Sequence, residues 1–303
     1  MNNNKKYKGI VIPAITPLTS EFKLDTVAVE KLFSLFRENS VSPFILGTTG
    51  ESASLPYSLK TEYIKLSGKL KQPGEMLYAG IAANCLEESI ELAKVCFDNN
   101  ADAVVATLPT YYKLTENQIK KYFERLAESC DGPLILYNIP ATVHMSIPLH
   151  IIDELSYHEN VVAIKDSERS DQRLSDSLNL WADREDFSYF LGWAARSAEA
   201  LINGADGVVP STGNLHPEIY SEMYEAVLCG DHERAHALQI NSDELGNVYQ
   251  YGRTLGESLW ALKVLMNEKG LCLPYVMPPL ESMSEEEKVA IMESLSEFLK
   301  IRE

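Results

Sequence analysis

The sequence predicts a (β/α)8 barrel followed by a helical region, and three observations support this fold class. Eight short apolar segments alternate with helix-like segments in the first 225 residues, so each strand and helix pair takes roughly 20 to 35 residues, as in a barrel repeat. No G-x-G-x-x-G or Walker-type phosphate loop follows the first apolar segment, which leaves a doubly wound open sheet without its usual support. After about residue 225 no further strand-like segment occurs. We therefore expect a barrel domain over residues 1–225 and a helical appendage over residues 226–303.

Each predicted strand is a short apolar run bounded by polar, glycine or proline residues. In chain order the runs occupy residues 9–18, 42–51, 76–84, 101–109, 132–140, 160–167, 187–193 and 205–214. The sixth run contains four consecutive apolar residues, Val161 to Ile164, which is typical of a strand buried on both faces. Lys165 follows at once, so we expect it at the end of an interior strand. Asp166 and Ser167 are expected to begin the next loop and its helix cap.

The predicted helices combine a polar N-cap with one apolar face. In the fourth, Thr115 can cap the helix with Gln118 as its capping-box partner, and Ile119 and Phe123 lie on the apolar face. The barrel helices are predicted over residues 26–39, 58–71, 86–99, 115–130, 148–156, 170–183 and 195–203, and the appendage helices over 231–248, 255–268 and 284–300.

Composition excludes several classes of partner. The 27 basic and 44 acidic residues give a formal charge of -17, which repels nucleic acids and anionic membrane surfaces. The five cysteines are scattered and include no Cys-x-x-Cys pair, so neither a disulfide framework nor a thiolate metal cluster is indicated. The N-terminus lacks an apolar signal core, and no run approaches the roughly 18 apolar residues of a spanning helix. We expect a cytoplasmic protein that binds neither nucleic acid nor membrane.

The residues at the predicted strand ends suggest a chemistry. In a barrel the active site lies at the carboxyl ends of the strands, where Lys165, Tyr137, Thr48 and Thr49 would meet. A partly desolvated lysine loses its proton more easily and can attack a carbonyl group to form a Schiff base. A nearby tyrosine can transfer protons, and two threonines on a glycine-flanked turn can bind a carboxylate.

Five motifs carry a resemblance to a known family. They are GTTGES (47–52), LPTYY (108–112), YNIP (137–140), IKDS (164–167) and GADGVVPSTGN (204–214). In this order and spacing the chain resembles, over nearly its whole length, the pyruvate-dependent class I aldolases, which include dihydrodipicolinate synthase and N-acetylneuraminate lyase. The resemblance implies a homotetramer, a dimer of dimers, that acts on pyruvate and an aldehyde and needs no metal or organic cofactor.

The resemblance also implies residue roles. Lys165 would form the imine with the 2-keto acid, and Tyr137 would be the proton shuttle. Thr48 and Thr49 would together bind the carboxylate and relay protons, with Thr49 counted among the catalytic residues. Tyr111, or Tyr112 in an alternative alignment, would reach into the site of a neighbouring subunit. Three further positions that would bind substrate in a lyase-like pocket are Gly192, Val209 and Ser211.

The sequence departs from both well-known members at positions that select the substrate. Dihydrodipicolinate synthases carry an arginine where this chain has Thr142, and a hydroxyl cannot replace a guanidinium fork. Sialic acid lyases carry an acidic pair after the glycine of strand seven, where this chain has Trp193, Ala194 and Ala195. We therefore predict an aldolase or lyase for a 2-keto(-3-deoxy) acid, with pyruvate as product or donor. A dehydratase is a less favoured alternative, and the two named enzymes are the alternatives within the family. The candidates for recognising the aldehyde are Thr142, His144, Ser167, Trp193 and Arg196.

Two alternatives come from other classes. His232, Glu233 and His236 match the H-E-x-x-H pattern of zinc peptidases, with Glu257 as a candidate third ligand. The pattern lies outside the eight strands, at the polar start of a predicted surface helix, which favours a solvated helix turn. A barrel that binds a ligand without catalysis is the second alternative. The aldolase hypothesis is favoured over both, and it assigns no metal site.

Overall fold

The computed structural model describes residues 5–300, with side chains through Ser296, and contains a closed barrel of eight parallel strands. The strands pair in sequence order, and the last pairs with the first through Gly9 with Gly207 and Ile10 with Val208. The predicted (β/α)8 TIM barrel is confirmed. The strands are β1 (Gly9–Pro13), β2 (Ser42–Ile45), β3 (Tyr78–Gly80), β4 (Ala103–Thr107), β5 (Leu134–Asn138), β6 (Val161–Asp166), β7 (Ser188–Leu191) and β8 (Gly207–Val208).

Twelve α-helices occur within residues 5–300, and those after α9 form the C-terminal region. They are α1 (Thr26–Glu38), α2 (Tyr57–Leu70), α3 (Leu86–Asp98), α4 (Glu116–Ser129), α5 (Pro140–Val143), α6 (Leu149–Leu155), α7 (Asp171–Trp181), α8 (Ser197–Ile202), α9 (Pro217–Leu228), α10 (His232–Gln250), α11 (Leu255–Glu268) and α12 (Glu285–Lys300). A C-terminal helix therefore follows the barrel as predicted.

The prediction missed two of these helices. The four-residue α5 is too short to produce a periodic pattern, whereas α9 has a readable signal: Pro217 at its first position and Ile219, Tyr220 and Met223 on its buried face. This helix completes the eighth β/α unit. The boundary predicted at residue 225 falls within it, and the division into two domains stays a prediction.

The N-terminal end of the barrel is closed by a buried ion pair. The ammonium group of Lys5 lies 2.8 Å from the Asp206 carboxylate and donates a hydrogen bond to the carbonyl of Phe187. Both partners precede strands, because Asp206 comes directly before β8 and Phe187 directly before β7. The opposite end, where the strands finish, therefore holds the open cavity.

Among residues 5–300, no helix combines the length and apolar character that a membrane crossing requires. The longest helix with a complete set of described side chains is α10, which has 19 residues and buries Leu238, Ser242, Leu245 and Tyr249 against the rest of the protein.

Candidate functional site

Lys165 and Tyr137 lie side by side at the carboxyl ends of neighbouring strands. The parallel register of β5 and β6 pairs Tyr137 with Lys165, so both side chains enter the barrel in the same layer. The Nζ atom of Lys165 lies 3.7 Å from the centre of the Tyr137 ring and 4.9 Å from that of Phe44. Lys165 is only 5% exposed and Tyr137 only 4% exposed. The amine is thus held against aromatic faces and away from bulk water.

The electrostatics of the pair follow from this burial. Burial lowers the pKa of Lys165 below its ordinary value of 10.5, and interaction with Tyr137 offsets part of the change. Burial alone would raise the pKa of Tyr137, but the charge of Lys165 and hydrogen bonds with Lys165, Thr48 and Ser167 outweigh it, so that pKa is lowered. The two groups can therefore exchange a proton more easily than a free lysine and a free tyrosine.

The Thr48 and Thr49 loop follows β2 and faces this pair. The hydroxyl of Thr48 lies 3.3 Å from the hydroxyl of Tyr137, within hydrogen-bond reach. Thr49 is buried beside it. Hydroxyls and amides on such a turn can bind a carboxylate close to the amine of Lys165.

A cavity of about 570 Å³ opens from these residues toward the protein surface. Its lining includes Thr48, Tyr137 and Thr142, together with Lys60, Asn84 and the carboxyl ends of β3 and β4. Lys165 lies in the narrower apolar space below, where Val11, Tyr78, Ile135, Phe190 and Val209 surround it. The volume suits a small substrate.

The three other positions expected to bind substrate lie around β7 and β8. Gly192 follows β7, and a Cβ atom there would lie 2.0 Å from the hydroxyl oxygen of Ser167, so only glycine fits beside that hydroxyl. Val209 is buried next to Lys165. Ser211 opens a short 3-10 turn, and its hydroxyl lies 2.7 Å from the hydroxyl of Tyr249 on α10.

The residues considered for aldehyde recognition are only partly brought together. Thr142 lines the cavity, and Ser167 is bound to the hydroxyl of Tyr137. His144 is exposed and caps the end of α5 with φ at 56°, away from the cavity wall. Arg196 lies over the ring of Trp193, 5.2 Å from its centre, and pairs with Asp171 at the surface.

Tyr111 and Tyr112 are exposed on the single chain, 79% and 74% respectively. Their rings contact each other with centres 4.9 Å apart. The preceding residues Pro109 and Thr110 line the cavity, so the two rings stand at its rim.

One local prediction was wrong. Asp166 is the last residue of β6 rather than a loop residue, and the cap of α7 is Ser170, whose hydroxyl accepts from the amide of Arg173. Asp166 instead pairs with Arg173 at 2.6 Å and accepts a hydrogen bond from Asn138. Because neighbouring strand residues alternate in direction, Asn138 and Asp166 point away from the side of the strands that carries Tyr137 and Lys165. The hydrogen bond between Asn138 and Asp166 holds β5 against β6.

The zinc alternative lacks a constellation of ligands. His232 and His236 are exposed in the first turns of α10. Glu257, the suggested third ligand, accepts from the Thr254 amide at 2.7 Å in the capping box of α11. In the described part of the chain, no group of three or more His, Cys, Asp or Glu side chains could hold a metal ion. The geometry therefore does not support a zinc peptidase.

Comparison with known proteins gives one consistent result. The sequence profile of the dihydrodipicolinate synthetase family matches residues 6–298. The chain is 31% identical over 291 residues to an uncharacterized DapA-like lyase from Thermofilum pendens, covering 94% of this chain and 96% of that protein. It is similar to the solved dihydrodipicolinate synthase from Bacteroides thetaiotaomicron, with a TM-score of 0.91, 29% identity and coverage of 97% and 99%. It is also similar to the chloride-inhibited dihydrodipicolinate synthase from Acinetobacter baumannii in complex with pyruvate, with a TM-score of 0.87, 26% identity and coverage of 96% and 98%.

Proposed function

The chain belongs to the dihydrodipicolinate synthetase family, and from this premise we propose that it is a Schiff-base lyase of the class I aldolase type, with Lys165 as its nucleophile. The resemblance predicted from the five motifs is confirmed. Family members are lyases, and the proposal assigns this chain a 2-keto acid substrate and pyruvate as product or donor.

The observation that carries the proposal is the state of Lys165. Its amine is buried, stacked on Tyr137, and has a lowered pKa. Within residues 5–300 no carboxylate forms an ion pair with it, in contrast to the buried amines of Lys5 and Lys263. A buried amine that has no carboxylate partner destabilises the folded protein, but the same burial favours its neutral, nucleophilic form. This combination is typical of imine-forming lysines.

The proposed cycle uses residues of the site in turn. The neutral amine of Lys165 attacks the keto carbon while Thr48 and Thr49 hold the carboxylate. Tyr137 gives its proton to the departing hydroxyl group, so that water leaves, an iminium ion forms and Tyr137 becomes a phenolate. Tyr137 accepts the proton of the 4-hydroxyl group as the bond between C3 and C4 breaks, and the electron pair moves to the iminium nitrogen. An aldehyde leaves. The remaining enamine is protonated at C3, and water hydrolyses the resulting imine to release pyruvate. The iminium is the electron sink, so this route requires no metal or organic cofactor.

We propose that the part of the aldehyde that contacts Thr142 carries no charge. Thr142 contributes a hydroxyl to the cavity and donates to the carbonyl of Ile139, which suits a hydroxyl-bearing aldehyde better than a carboxylate. This supports an aldolase for 2-keto-3-deoxy acids over dihydrodipicolinate synthase proper.

Assembly and location belong to the same proposal. We propose a homotetramer in which Tyr111 of one copy completes the cavity of its neighbour, because its ring stands exposed at the cavity rim. We propose residence in the cytoplasm, since the cysteines are free and scattered.

The test is to trap the imine with borohydride. Full-length protein is incubated with pyruvate and borohydride, and the mass of the intact chain and of its peptides is measured. We expect one reduced pyruvyl adduct on Lys165, none on Lys165→Ala, and an unchanged adduct on Lys60→Ala, which removes the lysine that lines the larger cavity above Lys165. A folded wild-type protein without adduct, or an adduct that persists in Lys165→Ala, would refute the proposal.

A further inference from the structure

The turn that carries Thr48 and Thr49 ends in an unfavourable backbone conformation. Glu51 has φ at 57°, in the left-handed region that residues with a side chain rarely adopt. Such a conformation persists only where the surroundings hold it in place. The Glu51 carboxylate is buried and lies 2.5 Å from the ammonium group of Lys263 on α11, and neither side chain reaches solvent.

Lys263 connects this turn with two other segments. Its ammonium group donates to the carbonyl of Thr16, after β1, at 2.8 Å and to the carbonyl of Tyr275 at 2.6 Å. The hydroxyl of Thr16 in turn donates to the carbonyl of Gly50 at 2.6 Å. The other carboxylate oxygen of Glu51 accepts from the amide of Met277 at 2.6 Å. Gly50 and Glu51, the residues directly after Thr49, are thus both tied to Lys263.

We propose that Lys263 is a positioning residue for the substrate carboxylate. Through Glu51 and Thr16 it fixes the turn on which Thr48 and Thr49 present their hydroxyls and amides. Lys263 acts from behind the cavity wall, which Glu51 helps to form. The inference rests on the proposed function, because it assigns Lys263 to the binding of the keto acid. It also gives the C-terminal region a role in the site.

The chain offers a matched control for this inference. Lys5 and Asp206 form an equally buried ion pair, in which Lys5 also donates to backbone carbonyls. That pair lies at the opposite end of the barrel. Removing either lysine leaves a buried carboxylate unpaired and destabilises the fold. Only the removal of Lys263 releases the turn with Thr48 and Thr49.

The experiment measures borohydride trapping on full-length wild type, Lys263→Met and Lys5→Met over a range of pyruvate concentrations, with a thermal melt of each. For Lys263→Met we expect half-saturation at a pyruvate concentration at least about tenfold higher, with a trapping rate at saturation close to wild type, because a displaced turn weakens carboxylate binding and leaves Lys165 and Tyr137 in place. For Lys5→Met we expect a similar loss of thermal stability and a change in half-saturation below about twofold.

Two results would overturn the inference: an unchanged half-saturation in Lys263→Met, or equal shifts in both variants, which would mean a general loss of stability. Absence of trapping in the wild type would refute the proposed function itself, and the inference with it. If Lys263→Met does not fold, the same measurements are made on Glu51→Gln, with Asp206→Asn as its control. Each substitution keeps the side-chain shape and removes the negative charge from one of the two ion pairs.

Discussion

Lys165 and Tyr137 change each other's chemistry because they share a buried layer of the barrel. The apolar walls disfavour the ammonium form of Lys165, while the ring and hydroxyl of Tyr137 partly restore it. Tyr137 in turn loses its proton more easily because Lys165, Thr48 and Ser167 stabilise the phenolate. At the scale of single residues, the reactivity of the site therefore comes from burial first and from the partner second.

The first prediction concerns the pH dependence of imine formation. Only the neutral amine is nucleophilic, so the trapping rate with pyruvate falls as pH falls through the pKa of Lys165. Because burial lowers that pKa, the midpoint should lie below 10.5. In Tyr137→Phe the midpoint should move lower still, since a group that raises the pKa is lost. Rates of adduct formation measured over pH decide this; a midpoint at 10.5 or above would contradict it.

The second prediction concerns stability. The pKa of Lys165 is lower in the folded than in the unfolded chain, so the unfolded state binds more protons and folding is penalised below pH 10.5. Lys165→Met should therefore stabilise the protein at pH 7 by about 1 kcal/mol, and raise the Tm by about 2–4 °C. Thermal melts at pH 7 check this, and the gain should shrink as pH rises from the lowered pKa of Lys165 toward 10.5 and be absent above it. Lys5→Met should instead lower the Tm, because Lys5 has a carboxylate partner.

At the scale of elements, the sequence predicted the helices that carry a local sequence signal, such as a capping box. The capping box of α4 forms between Thr115 and Gln118 as expected, and the predicted bounds of 255–268 coincide with α11. The strands were predicted too long, in β1 because the apolar run continues into the loop that follows, where Ala14 and Ile15 come directly after Pro13. Helix α9 was missed although it begins at Pro217, three residues after the eighth apolar segment ends.

The third prediction compares two glycines within helices. At Gly246 in α10 the nearest atom to an added Cβ is 4.0 Å away, so Gly246→Ala should raise the free energy of unfolding by about 0.5–1 kcal/mol. At Gly68 in α2 the added Cβ would lie 2.0 Å from the carbonyl oxygen of Asn99, so Gly68→Ala should destabilise the protein. Thermal or urea unfolding of the two variants should show opposite signs; the same sign in both would contradict the helix packing described here.

At the scale of the whole molecule, the proximity of Lys165, Tyr137 and Thr48 could be predicted from the sequence, whereas the contacts that support them could not. Lys165 and Tyr137 are the penultimate residues of β6 and β5, and Thr48 lies in the loop after β2; strand ends converge in any barrel, so their meeting could be predicted. The partnership of Glu51 with Lys263 could not, because it joins residues far apart that share no motif. The only local signal was a lysine inside the apolar run SLWALKVLM of α11. His144 failed to reach the cavity because the turn after α5 directs it outward.

The fourth prediction concerns assembly. If Tyr111 enters the site of a second copy, Tyr111→Ala should weaken the oligomer and lower turnover most at low protein concentration, because a large exposed aromatic residue contributes strongly to an interface. Sedimentation velocity and activity over a dilution series measure both effects. Tyr157→Ala is the control, since Tyr157 is also exposed and follows α6, near the closed end of the barrel. Identical sedimentation of Tyr111→Ala and wild type would contradict the prediction.

The contact between Glu51 and Met277 has a consequence for biosynthesis. The two residues are 226 positions apart, so the contact can form only after almost the whole chain has left the ribosome. A nascent chain that has already paired its eight strands still lacks the support for the turn that carries Thr48 and Thr49. The final arrangement of this turn is thereby linked to the synthesis of α11 and the segment after it, and chains truncated before residue 263 lose this support altogether.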